Sequence, residues 1–359
     1  MNEQRRNFDY ITLSRGFGIV AVAMAHAAIP SIRTTNTAAA HLWYLAYSIA
    51  LPLFICLSGH LFEKGLGKYA RQGYGSFIRG KFSALMVPYF AFSILAYGGV
   101  AIASRFPETA RLLERFHFAP RGVWEAALEI ISLEDLVSKH LWFCYTLFLI
   151  FAVSYPLRRF LKSFPGLVVA FALYLASIAY HDDLPALVER VSHYLLFFHA
   201  GRWTGALDAW FRPRFMPLYF AAGAGTYIVM ETVGTRNIGF FGGSLSFVLG
   251  AVGVLFFATL ARCLTSVGAM RTVDRVGEYS YDIYLIHQPV LTAGTAGLLQ
   301  YKFTWLSPWT IIVMAATFGI VSSYLISRYF IRPVPFLRRI LLGMKTGSRY
   351  EPARAKTDA

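Results

Sequence analysis

Arg15 and His26 lie eleven residues apart inside DYITLSRGFGIVAVAMAHAAIP, residues 9 to 30, an apolar run long enough to cross a bilayer. On a helix, eleven residues make about three turns, so both side chains face one way, separated by roughly 16 Å along the axis. An ionisable group inside a span costs about 2.5 to 3.5 kcal/mol on insertion scales, so it persists where it meets a bundle interior, a partner or water. The chemistry such a stripe suits is proton transfer or nucleophilic attack by the imidazole, with the guanidinium holding an anionic group. The competing role is that of end residues, Arg15 snorkelling and His26 hydrogen-bonded at the far headgroups. Arg5, Arg6 and Ala25-His26-Ala27 also imitate a cleavable signal, but Arg15 would interrupt its apolar core and further spans follow.

Other groups with chemical potential are spread along the chain. LPLFICLSGHLFEKG places Pro52, where a helix can kink, before Ser58-Gly59, where two helices can approach closely. FIRGKFSALMVPY sets Arg79 and Lys81 at the mouth of the next apolar run, as phosphate-holding cations or as topogenic charge on anionic lipid. His140 and Trp142 begin another run, where an interfacial aromatic anchor is the simpler role. GEYSYDIYLIHQP gathers Glu278, Tyr279, Asp282 and His287. Glu278 and Asp282 share a helix face, whereas His287 lies about 140° round from Asp282, so these residues need not form one cluster. Neither a His-x3-His nor a Glu-x-x-His pair falls on one face, and no metal site is expected. Neither a G-x-S-x-G elbow nor a P-loop is present. Cys56, Cys144 and Cys263 have no paired spacing and read as small buried hydrophobes.

The elements that must position these groups follow from composition. The 359 residues are 56% hydrophobic and 15% charged, with 31 phenylalanines, which excludes a soluble domain. The net charge of +15 invites a nucleic-acid partner, but the basic residues fall in short clusters between apolar runs, without a continuous basic face. The expected fold is all-α and polytopic, with about ten transmembrane helices near 11–30, 41–62, 83–104, 140–157, 166–181, 192–204, 215–233, 241–262, 278–299 and 308–331. Connections alternate in charge: Lys64, Lys68, Arg71, Arg79 and Lys81 in one, Arg158, Arg159 and Lys162 in another, against Asp182, Asp183, Glu189 and Arg190 between. The positive-inside rule then puts both termini in the cytoplasm. The long connection 105–139 carries Trp124, Ala127, Leu128 and Ile131 at helical spacing, an amphipathic helix suited to the bilayer edge or to an acceptor. The chain reads as one membrane domain over 1–340 with a basic, disordered cytoplasmic tail at 341–359.

In their order, these stretches resemble the bacterial membrane acyltransferase-3 family. The matching features are Arg15-Gly16 to His26, Pro52 to Gly59, Arg79 to Tyr89, Leu141 to Phe143, and Tyr279 to His287, with Asp9 as the acidic residue before the first helix. The resemblance covers roughly residues 8 to 335 and implies an integral enzyme of the bacterial inner membrane. Such an enzyme moves an acyl group, usually acetyl, from cytoplasmic acetyl-CoA to a hydroxyl of a surface or lipid-linked carbohydrate. CoA is then a co-substrate, with no cofactor bound. His26 and Arg15 become the catalytic pair, Arg79 and Lys81 the donor-binding cations, and Asp9, Ser58, His140, Trp142, Tyr279, Asp282 and His287 the supporting groups. The sequence departs from the family pattern in carrying Ala84 where many relatives have a second basic residue, and His60 after Ser58-Gly59. The family's optional esterase-like domain is absent, as in a stand-alone form. A transporter or flippase of a glycolipid would use the same polar residues to line a pathway, and the ordered motifs argue for the enzyme.

Overall fold

The computed structural model describes residues 3–115, 120–132, 137–205, 210–233, 239–266 and 271–344, and they form helices, turns and loops. The first helix, α1, Glu3–Ala27, is the axis of the molecule. After the short α2, Pro30–Thr35, comes α3, Thr37–Lys81, which starts on the Asn36 side chain accepting the Ala39 amide at 2.9 Å. The chain then passes through a π-helical turn, Phe82–Met86, into α4, Val87–Ala103. Two surface helices follow, α5, Pro107–Arg115, and α6, Val123–Ile131. A 3-10 turn, Lys139–Leu141, leads into α7, Trp142–Ser154, and then come α8, Arg158–Leu161, α9, Phe164–Ala179, and α10, Ala186–Arg202. The last part holds α11, Met216–Val233, α12, Gly239–Ser266, α13, Arg271–Glu278, α14, Ser280–Ile286, α15, Thr295–Lys302, α16, Pro308–Ile326, and α17, Pro335–Leu341.

Each of the ten expected runs has a helical counterpart, but they differ in character. Among the described residues, four stretches are long and apolar enough to cross a membrane: Tyr10–Ala27, Thr37–Ala103, Gly242–Thr265 and Pro308–Ile331. Lys139–Ser154 and Phe164–Ala179 are shorter apolar helices. The basic connection expected between the second and third runs is itself helical. Its reversal is concentrated at Gly73, whose φ of 74° belongs to the left-handed region that favours glycine. Phe77 consequently returns to lie 5.8 Å from the ring of Phe62, although fifteen residues of straight helix would separate them by about 22 Å. The ninth run is interrupted: α14 ends at Ile286, Pro289 follows, and a π turn at Val290–Gly294 restarts the helix.

The Gly59 expectation agrees with the geometry. A methyl group there would sit 1.9 Å from the Phe198 carbonyl oxygen, so α3 and α10 touch backbone to backbone. Around that crossing, Phe62, Phe77, Phe151 and Phe198 pack edge-on or tilted against one another, with centroids 5.3 to 6.1 Å apart. The amphipathic helix expected near Trp124 is α6. Its Ile130 is buried, while Trp124, Leu128 and Ile131 point outward, Trp124 at 82% exposure.

Candidate active site

Among the four long apolar stretches, α1 is the most buried, enclosed by α3, α12, α13 and α16. Gly277 of α13 meets it so closely that an added Cβ would lie 1.9 Å from the Thr12 carbonyl oxygen. That contact fixes the rotation of α1. Arg15, Val22 and His26, spaced by seven and then four residues, therefore all face one cavity of about 340 Å³. The far walls come from Tyr47 and Ser58 of α3, from His140 and Trp142, and from Tyr281 and Tyr284 of α14. Ala84 and Leu342 line it as well.

His26 does not stand alone. The Tyr47 hydroxyl lies 3.0 Å from its Nε2 and 3.3 Å from its Nδ1. The His287 ring is 5.2 Å from the His26 ring, the His140 ring 6.3 Å, and His140 and His287 are 5.7 Å apart. Three imidazoles from α1, the turn before α7 and the end of α14 thus share one site. Nδ1 of His287 is 2.9 Å from the carbonyls of both Ile283 and Tyr284, so it carries the proton and donates to them. That tautomer leaves Nε2 of His287 as a lone-pair nitrogen. It is buried and, among the described residues, without a hydrogen-bond partner, as is Nε2 of His140. The His140 carbonyl accepts the Tyr284 hydroxyl at 2.6 Å, which ties the turn before α7 to α14.

Arg15 has neither a hydrogen bond nor an ion pair among the described residues, although it faces the interior of the bundle. A guanidinium so placed is a receptor for an anionic or carbonyl oxygen. Ser58 lines the cavity but donates its hydroxyl to the Phe54 carbonyl at 2.8 Å. Trp142 lies 5.4 Å from Tyr194, with the Arg190 guanidinium 5.2 Å from its ring centre.

The other expected site residues lie elsewhere. Asp282 is 2% exposed and faces away from the cavity, accepting from the Arg332 Nε at 2.7 Å and from the Ser327 hydroxyl. Tyr279 sits under the same Arg332, 3.7 Å from its guanidinium carbon. The separation read from the helical angle between Asp282 and His287 is thus present in three dimensions. Arg79 is exposed, and Lys81 rests against the Phe151 ring at 3.7 Å, with Phe77 and Tyr69 at 5.5 and 5.6 Å. Neither lines the cavity, but Ala84, three residues further on, does, and its carbonyl accepts the Tyr281 hydroxyl at 2.8 Å. The side chain of Asp9 lies outside the described residues.

Two residues were not singled out in the sequence. Tyr47 sits in HLWYLAYS, where aromatic residues are frequent and nothing marks one as an imidazole partner. Arg33, on α2, stacks 4.3 Å over Trp43, itself 5.1 Å from the Tyr47 ring. The Nε of Arg33 is buried without an acceptor among the described residues. Arg33 therefore supplies positive charge on the His26 side of the cavity, opposite in the fold to Lys81.

A helical membrane protein with a cluster of imidazoles, a tyrosine and an unpaired guanidinium around one cavity has the groups of a membrane group-transfer enzyme. The chain belongs to the acyltransferase-3 family, whose model, described as an acyltransferase domain, matches residues 8–328. No curated protein and no solved structure matches the chain.

Proposed function

We propose that this membrane acyltransferase moves an acyl group, in the simplest case acetyl, from acyl-CoA to a hydroxyl of a cell-surface or lipid-linked carbohydrate. The observation that carries this reading is the His26 imidazole, hydrogen-bonded to Tyr47 and open to the same cavity as the unpaired Arg15. In the direct route His26 takes the proton of the acceptor hydroxyl as its oxygen attacks the thioester carbonyl. The C–S bond breaks, and the imidazolium returns the proton to the departing thiolate. In the two-step route His26 first accepts the acyl group on nitrogen and the hydroxyl then removes it, with the same overall balance. Arg15 holds carbonyl or phosphate oxygen in either case.

Arg79 and Lys81 would receive the anionic head of CoA at the basic end of the bundle, in a bacterial cytoplasmic membrane. The acceptor would enter at the His26 end, near Arg33 and Trp43. This arrangement needs no bound cofactor, because the extended arm of CoA can bridge the roughly 16 Å between Arg15 and His26.

Membranes containing wild-type protein should release free thiol from acetyl-CoA and add acetyl to glycan measured by mass spectrometry. His26→Ala should lower both by about 10²- to 10⁴-fold with insertion unchanged. Near-normal activity in His26→Ala would overturn the assignment. Glycan export without any acylation would favour a transporter.

A further inference from the structure

A second, shallow pocket, of about 620 Å³, shares no lining residue with the first and lies apart from His26, His140 and His287. Its walls bring together Arg158, Arg159, Lys162, Ser163, Arg202 and Trp203. In the sequence these are scattered topogenic charges; in the fold, α8, the start of α9 and the end of α10 collect them. Arg202 is 3% exposed and serves as the frame. Its Nε donates to Glu63 at 2.8 Å, one terminal nitrogen donates to the Arg158 carbonyl at 2.8 Å, and the other lies 3.4 Å from Nδ1 of His199. Glu63 also pairs with Lys162.

Glu63, shared between Arg202 and Lys162, offsets one of the four positive charges and leaves three in excess. Arg158 is held in place, donating to the Tyr155 carbonyl at 2.9 Å with its guanidinium 4.7 Å from the Tyr155 ring. Arg159 has neither a hydrogen bond nor an ion pair among the described residues. The Trp203 indole N–H, also in this wall, is buried and lacks an acceptor among them. A held Arg158, an unpaired Arg159 and the unused Trp203 N–H around one opening suit a compact, multiply charged acceptor, whereas the Ser163 hydroxyl is already spent on the Phe160 carbonyl at 2.6 Å.

We propose that this pocket binds a phosphate ester. The group has two sources, the headgroup of an anionic phospholipid or the nucleotide phosphates of a soluble acyl donor; the second rests on the acyl-CoA reading above and would move the head of CoA here from Arg79 and Lys81, whereas the first leaves that reading unchanged. The neighbouring residues speak for the lipid. Leu157, Phe160 and Phe164 are interspersed in the chain with the cations and are 46%, 45% and 76% exposed, a pattern suited to the boundary between acyl chains and headgroups.

The test measures binding, so its outcome is separate from whether acyl transfer occurs. Purified full-length protein is titrated with phosphatidylglycerol against phosphatidylcholine by native mass spectrometry, and with adenosine 3′,5′-bisphosphate by calorimetry. Two variants are compared with wild type. Arg158→Gln with Arg159→Gln removes two of the three excess positive charges and leaves Glu63 and Arg202 intact. Ser163→Asp keeps an N-cap for α9, where Ser163 Oγ accepts the Gly166 amide at 3.3 Å, and adds negative charge to the pocket.

The expected result is selective binding of phosphatidylglycerol that weakens by about tenfold or more in both variants, as the loss of charge-assisted bonds predicts. The same loss for the bisphosphate would name the nucleotide as the source. If the double variant fails to fold, Ser163→Asp decides alone. Wild-type protein that binds neither probe, or variants whose affinity for both is unchanged, would overturn the proposal.

Discussion

At Nε2 of His26 the neighbouring oxygen is the Tyr47 hydroxyl, 3.0 Å away, and that bond sets where the imidazole points. Tyr47→Phe removes the hydroxyl and keeps the ring contact with Trp43 and His26. A bond of this kind contributes about 0.5 to 1.5 kcal/mol net, so kcat should fall by roughly 2- to 13-fold with the donor KM unchanged. Steady-state kinetics on purified protein checks it, and an unchanged kcat would reduce Tyr47 to a packing residue. The stripe of Arg15 and His26 was legible in the sequence because both residues ride on one helix with a fixed period. His140 and His287 were legible only as isolated histidines. Their meeting depends on the turn before α7 and on the end of α14 at Ile286, and no local pattern encodes which helices will be neighbours. Tyr47 left no signal, because one tyrosine among many aromatic residues gains its role only from its distance to His26.

On the scale of single elements, α14 carries two unrelated tasks on two faces. Tyr281 and Tyr284 line the cavity, while Asp282 holds the helix to Arg332 beyond α16. Asp282→Ala should therefore act on stability and not on chemistry. Removing one partner of a buried pair costs about 3 to 5 kcal/mol, an upper range here because Arg332 keeps some access to solvent. The melting temperature in detergent should drop, and the specific activity of the protein that remains folded should stay within about twofold of wild type. A catalytic Asp282 would instead lose activity at unchanged stability. The same scale explains why 63–82 resembled a loop. Its charges suggested a connection, but they leave helix formation intact, and only Gly73 supplies the conformation that turns the chain.

For the molecule as a whole, the expected topology sets the basic connections on one side of the membrane and the mixed ones on the other. Reporters inserted at Gly73 and fused after Met344 should respond as cytoplasmic, and reporters at Glu114 and Asp183 as external. A cytoplasmic response at Glu114 would change the number of crossings between α4 and α7. Arg79→Ala combined with Lys81→Ala should raise the donor KM far more than the acceptor KM, and the defect should be milder at low salt, where the remaining positive charges are less screened. Equal changes in both constants would remove these residues from donor recognition. Lys81 makes this the sharper test of the pair, since its aromatic surroundings at Phe151, Phe77 and Tyr69 offer a cation a place to rest without any donor.

The distribution of the three imidazoles along the chain also bears on how the protein is made. His26 and His287 are 261 residues apart, yet their rings end 5.2 Å from each other. At about 5 to 20 residues per second, α1 leaves the ribosome roughly 13 to 50 seconds before its partner in α14 exists. Until α3 follows, Arg15 faces the bilayer without the walls that later surround it, at a cost of about 2.5 to 3.5 kcal/mol for the charged guanidinium. The first helix must therefore be sheltered by the insertion machinery or by the early α3, and biogenesis depends on keeping a premature polar helix from slipping back out of the membrane.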